Sequence, residues 1–297
     1  MSGRRLEDKM PTSLTESGIS QDVVAEVEAA NQSGKPPVLF IHGLWLQRGG
    51  WAPWRELFEA AGYATVAADW PGEPATVAEA RANPAALAGK GVHDIAAHLE
   101  TIARSFDKRP AILGHSFGGL FTQILAGRGC AAVSVPIDPA PFRGVLPLPI
   151  SAQRSAFPVL GNPLNRGRTV SLTAKQFRYA FGNMLTPEES DRLHAEMTVA
   201  APGRPLFEAA MANVNPFTPV KVDTRNPERG PMLVISGERD HIVPHAIAYA
   251  SWKRQRKNSG VTEFREFHDR GHSLVIDSGW REIGEGALAF VQRFLTA

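Results

Sequence analysis

Apolar positions along this chain cluster into short continuous runs separated by longer amphipathic stretches. Pro37-Val-Leu-Phe-Ile-His42-Gly43 is the first clear run, and Ala64 to Trp70, stopped by Pro71-Gly72, is the second. Pro110 to Leu113 and Ala131 to Ile137 follow, the latter ending at Asp138-Pro139. Runs this short, apolar without alternation and closed by Gly or Pro, suit strands buried on both faces. Met232 to Ser236 and Thr262 to Phe267 complete the strand set, and Val23 to Val27 reads as an edge strand entering the domain. Between them lie helical patterns: Trp54 to Ala61, Val92 to Phe106 with Ile95, Leu99 and Ile102 in register, and a closing Trp280 to Leu295. Strands joined by helix-length connections must pair in parallel through right-handed crossovers. The expected fold is therefore α/β, a doubly wound and mostly parallel sheet with its functional groups at the carboxyl ends of the strands.

The alternation stops between Asp138 and Pro231. Helical patterns at Thr173 to Leu185, Thr186 to Val199 and Pro205 to Asn213 occupy this stretch, and Thr186-Pro187-Glu188-Glu189 reads as a capping box with proline at the first helical position. Long insertions in compact domains are usually functional. Residues 141–217 are accordingly expected to form a helical cap, with residues 22–140 and 218–297 as the core and residues 1–21 as a flexible polar extension.

One strand–turn–helix junction carries chemistry. Gly114-His115-Ser116-Phe117-Gly118 follows the Pro110 run and precedes Leu120, Phe121, Ile124 and Leu125 at helical spacing. The two glycines give the room that so tight a turn needs, and Ser116 is lifted towards the N-terminal dipole of the next helix. A serine is a poor nucleophile alone; it needs a base, a group to orient that base, and donors for the oxyanion. His272, after Gly271 in the loop beyond the Thr262 to Phe267 strand, is the expected base. His268 and His115 are expected to be structural. For the acid, Asp240 in Gly237-Glu238-Arg239-Asp240 gives the order Ser–Asp–His with gaps of 124 and 32 residues. Asp138 is the reserve. The backbone N–H groups of Phe117 and Leu44 are the expected oxyanion donors, with His42 and Trp45 beside the substrate pocket, which Trp51 and Trp54 could extend, although core packing is the expected role for at least one of them. Glu238, Asp240, His241 and His245 fit no standard ligand spacing, so no metal is expected there.

Composition adds exclusions. The 297 residues carry a net charge of +2, too small and too evenly spread to argue for nucleic acid. No apolar run is long enough for a membrane span, and the single cysteine, Cys130, cannot form an internal disulfide, which suits a reducing cytoplasm. Whether the chain is a monomer or a homodimer is left open.

The segments Phe40-Ile41-His42-Gly43-Leu44-Trp45, Gly114 to Gly119, Ser236 to Pro244 and Gly271-His272-Ser273 together resemble the α/β-hydrolase superfamily, in its serine-nucleophile branch with a helical cap. The resemblance implies acyl transfer of the esterase, lipase or amidase kind on a small-molecule acyl substrate, with no cofactor. It argues against dehalogenases and epoxide hydrolases of this fold, which carry aspartate where Ser116 stands. It leaves open a cofactor-free haloperoxidase, a carbon–carbon bond hydrolase, or a binding protein that retains the triad.

Overall fold

The computed structural model describes residues 18–297. Six strands form one sheet in which every neighbouring pair is parallel: β1 (Pro37–Ile41), β2 (Ala64–Ala68), β3 (Ala111–His115), β4 (Val133–Ile137), and, beyond an insertion, β7 (Met232–Gly237) and β8 (Thr262–Phe267). Their order across the sheet is β2-β1-β3-β4-β7-β8. β1, β3, β4 and β7 are buried along their whole length, as their unbroken apolar runs require.

Helices α1 (Gln21–Ser33), α2 (Ala52–Ala60), α3 (Val77–Ala82), α4 (Val92–Arg104) and α5 (Phe117–Gly127) punctuate the first half, and α10 (His245–Gln255) and α11 (Trp280–Gln292) the last third. The sheet separates two cores. On one side α4 and α5 pack through Leu99, Ile102, Leu120 and Phe121. On the other, Phe40, Trp51, Trp54 and Phe58 interlock, with Phe40 5.1 Å from Trp51 and Trp51 5.2 Å from Trp54 between ring centroids. Trp51 and Trp54 are thus core residues, Trp54 also donating from Nε1 to the Val275 carbonyl at 2.9 Å. They do not extend a substrate pocket.

The segment from Val23 to Val27 is helical, correcting the expected edge strand. Val23, Val27 and Ala30 are buried at helical spacing, Ser20 caps the N-terminus by accepting from Val23 N, and Gly34 closes the C-terminus at φ +66°. Of the expected flexible extension, residues 1–17 lie outside the described residues; Ile19 is buried and Ser20 is the cap, so residues 18–21 belong to the folded domain.

Between β4 and β7 the chain builds α6 (Ile150–Leu160), the two-residue strand β5 (Thr169–Val170), α7 (Ala174–Ala180), α8 (Pro187–Met197), the antiparallel partner β6 (Ala201–Pro202) and α9 (Arg204–Ala210). This insertion is tied to the loop after β1: Trp45 donates from Nε1 to Val170 O at 2.9 Å, and Val199 N donates to Trp45 O at 3.0 Å. The start of α8 uses half of the expected box. Thr186 accepts from Glu189 N, but the Glu189 carboxylate turns away to accept from Ser278 N at 2.7 Å, stitching the insertion to the loop before α11.

Candidate active site

Ser116 sits between β3 and α5 at φ +58° and ψ −119°, a region that non-glycine residues rarely occupy. A residue held there costs on the order of 1–3 kcal/mol and persists only where its surroundings over-determine it. Here they do. Ser116 N donates to Ile137 O at 2.9 Å, and Ala140 N donates to Ser116 O at 2.9 Å, locking the turn to the end of β4. A Cβ on Gly114 would lie 2.2 Å from Gly118 O, and one on Gly118 would lie 2.1 Å from Ile41 O, both against rigid backbone. Gly114→Ala is therefore expected to destabilise the fold by about 3 kcal/mol or more, read as a lowered urea midpoint.

His272 is fully buried and carries its partner with it: Nδ1 lies 2.5 Å from Asp240 Oδ2. The other Asp240 oxygen accepts from Ile242 N at 2.6 Å and Val243 N at 2.8 Å, so the carboxylate is fixed by the loop that presents it. With Nδ1–H donated to Asp240, Nε2 keeps its lone pair, and this buried nitrogen has no hydrogen-bond partner among the described residues. The imidazole is packed between His115, 4.4 Å away between ring centroids, and Phe181 of the insertion, 4.8 Å away.

Asp138 completes the cluster from the end of β4, at φ +40°. Its Oδ1 accepts from Gly237 N at 2.8 Å. Burial, reinforced by the neighbouring Asp240 charge, holds its carboxyl well above the usual carboxylate range. Two carboxyls this close cannot both ionise cheaply; Asp240, with backbone donors and the imidazole, is the one placed to hold the charge, and Asp138 the proton. His115 is fully buried, and burial and the adjacent His272 hold it well below its ordinary value, against a smaller raising contribution from the His272 backbone.

The sign of the His115 effect is testable. The unfolded chain takes up its proton near 6.5 while the folded chain does not, so this contribution to stability is present above about 6.5 and declines as pH falls. The stability difference between wild type and His115→Gln, from urea unfolding, should shift in favour of wild type as pH rises from about 5.0 to about 7.0.

The loop after β1 runs against the serine. A Cβ on Gly43 would come within 2.7 Å of Ser116 Cβ, so only glycine lets the Leu44 and Trp45 backbone pass. Phe117, as the first residue of α5, has an N–H without an intrahelical acceptor. Leu44, Trp45, Ser116 and Phe117 all line one apolar cavity of about 460 Å3, closed by Phe142, Val145 and Leu206 from the insertion side. His42 is not part of that lining, contrary to expectation. Its ring stacks on Trp70 at 4.8 Å, with Nε2 3.0 Å from Glu73 Oε2 and Nδ1 2.8 Å from Gly43 O. Burial works to lower its pKa, but the Glu73 charge and hydrogen bond outweigh this and raise it. His42 braces the loop rather than facing the cavity.

His115, Asp138 and His272 bring potential ligand atoms within 4.8 Å of one another. The donor set fits a cation poorly, because burial and the neighbouring Asp240 charge favour the neutral form of Asp138. The group at 238–245 is dispersed: His241 Nδ1 meets Tyr179 O, His245 meets Glu266, and Glu238 lies beside the exposed His268. Burial pushes the Cys130 thiol up to about 11, leaving it a weak nucleophile.

A strained serine turn between a strand and a helix, a buried His–Asp pair and a parallel sheet with an insertion after β4 define a class. The chain belongs to the alpha/beta hydrolase family, whose family model matches residues 38–283. Among solved structures it is similar to a monoacylglycerol lipase of Paleococcus ferrophilus, at 19% identity over 88% of this chain and 96% of that one, with a TM-score of 0.60. A thermophilic esterase from Thermogutta terrifontis matches at 16% identity, 88% and 91% coverage and a TM-score of 0.59. A pyrethroid hydrolase from Sphingobium faniae JZ-2 matches at 16%, 86% and 97%, with a TM-score of 0.60. At these identities the likeness is one of fold. Comparison with curated proteins returns no match.

Proposed function

We propose that the protein is a serine hydrolase that cleaves carboxylic ester bonds of small to medium apolar substrates. Two observations support this reading: the buried His272–Asp240 pair, whose Nε2 is free of any partner among the described residues, and a strained Ser116 that lines an apolar cavity. In the first step Ser116 Oγ attacks the ester carbonyl while His272 Nε2 takes the hydroxyl proton. Asp240 holds the imidazole in the required tautomer and stabilises its cation. The N–H groups of Phe117 and Leu44 receive the oxyanion, each such donor lowering the barrier by about 3 kcal/mol. His272 returns the proton to the leaving alcohol, and an acyl-Ser116 ester remains. Water then attacks this ester with His272 as base, releasing the acid and restoring the serine. Trp45 and the insertion, residues 141–217, cap the site and shape the acyl pocket. Asp138 is assigned as a positioning residue behind Asp240.

These assignments are tested by turnover of p-nitrophenyl esters from acetate to palmitate. The expected result is hydrolysis with a chain-length optimum set by the apolar cavity. Absence of turnover across the series by folded protein would overturn the esterase reading.

A further inference from the structure

The insertion carries an unusual surface. Acids average one residue in about ten over the whole chain, yet residues 139–187 contain none, and neither do residues 209–222. The same two stretches hold seven cations. They also hold nine of the eleven exposed large apolar side chains among the described residues. Leu146 is 74% exposed, Leu148 71%, Ile150 82% and Phe217 89%.

Part of this surface borders the apolar cavity, through Leu146, Leu148 and Phe157. Leu146 and Leu148 belong to a lip that lines the apolar cavity. Behind the lip, Arg143, Lys221 and Arg254 share a second, open pocket with Gly144 and Asn213. Asn213 joins the two pockets: its Oδ1 accepts from Gly144 N at 2.6 Å and its Nδ2 donates to Val145 O at 2.9 Å. Arg254 donates to Gly144 O at 3.2 Å and Arg143 to Pro216 O at 3.0 Å, next to Phe217. Among the described residues none of these three cations pairs with a carboxylate.

We propose that this lip and its cations form a docking surface for an anionic phospholipid bilayer. Exposed aliphatic and aromatic side chains enter the acyl boundary, while cations beside them meet lipid phosphates. The charge pattern favours this occupant over a second copy of the chain, because two-fold pairing would set Arg143, Lys221 and Arg254 against their own images. Docked in this way, the cavity mouth faces the membrane, so that an apolar ester passes from lipid to Ser116 with little exposure to water. That delivery rests on the esterase reading; the docking does not.

The test is co-sedimentation of the full chain, without substrate, with vesicles of phosphatidylcholine alone or with 30% phosphatidylglycerol. Binding should require the anionic lipid and weaken as salt rises. At about five-fold per charge near the surface, Lys221→Gln with Arg254→Gln should weaken it roughly 25-fold. Ile150→Asp with Phe217→Asp should abolish it, since neither side chain lines the cavity and both are exposed, so the fold survives and an unchanged urea unfolding midpoint reports it. Absence of binding to the anionic vesicles, or binding indifferent to the Ile150 and Phe217 changes, would overturn the proposal. So would a dimer in solution that those same two changes dissolve. Failure here leaves the p-nitrophenyl ester result untouched.

Discussion

Replacing Ser116 with alanine is expected to lower kcat for ester hydrolysis by on the order of a million-fold while leaving the protein folded. In the proposed mechanism Ser116 Oγ forms the covalent bond, so no neighbour can substitute for it. The stability side follows from the geometry. The strain at φ +58° belongs to the backbone and to any Cβ, so it is the same for serine and alanine. The turn is held by Ser116 N and O, bonded to Ile137 O and Ala140 N, and both bonds survive the change. Unfolding midpoints of the variant and wild type should therefore agree within about 0.5 kcal/mol, as for a change that breaks no packed contact.

The second large effect separates the two buried carboxyls. Asp240→Asn should cost about ten-thousand-fold in kcat, because an amide at this position offers its N–H towards His272 Nδ1 and so favours the wrong tautomer. Asp138→Asn should cost less than ten-fold. Asparagine is close in shape to the protonated acid that burial and the Asp240 charge favour at this position. Its carbonyl can still accept from Gly237 N. Stability adds an independent readout. A carboxyl whose folded pKa is raised binds its proton more tightly folded than unfolded, so the native state loses ground as pH rises above about 4 and continues to do so up to the folded value. Wild type should therefore become less stable relative to Asp138→Asn as pH increases through that window. The opposite ranking of activities, with Asp138 essential and Asp240 dispensable, would reverse the assignment of the acid.

Much of this arrangement was legible in the chain because parallel strands buried on both faces leave a strong signature. β1, β2, β3, β4 and β7 coincide with the unbroken apolar runs, and the elbow glycines flank Ser116 as the motif demands. The approach of Asp240 to His272 across 32 residues was foreseeable from loop order, since both follow neighbouring strands, β7 and β8. What was hidden depended on tertiary context. Val23 to Val27 satisfies a short strand pattern as well as a helical one, and only the cap at Ser20 and burial of Ala30 decide between them. α6 gave no periodic signal because Ile150 and Phe157 point to solvent while Ser155 and Val159 are buried, and Pro149 and Pro158 bracket it as a loop would be bracketed. His42 was placed at the pocket by its position after β1, but Trp70 and Glu73, from the loop after β2, draw its ring the other way. The pairing of Asp138 with Asp240 required knowing that β4 and β7 are adjacent in the sheet. His115 carried no sign in sequence of its packing against His272, a contact that arises only when the turn at Ser116 and the final loop meet.

The central claim is that His272 and Asp240 activate Ser116, and it is tested most directly by labelling with a serine-reactive phosphonate and mapping the adduct by peptide mass spectrometry. The account predicts one rapid adduct on Ser116 in wild type, none in Ser116→Ala, and strongly slowed labelling in Asp240→Asn. A folded wild-type protein that forms no adduct, or forms it on another residue, would contradict it.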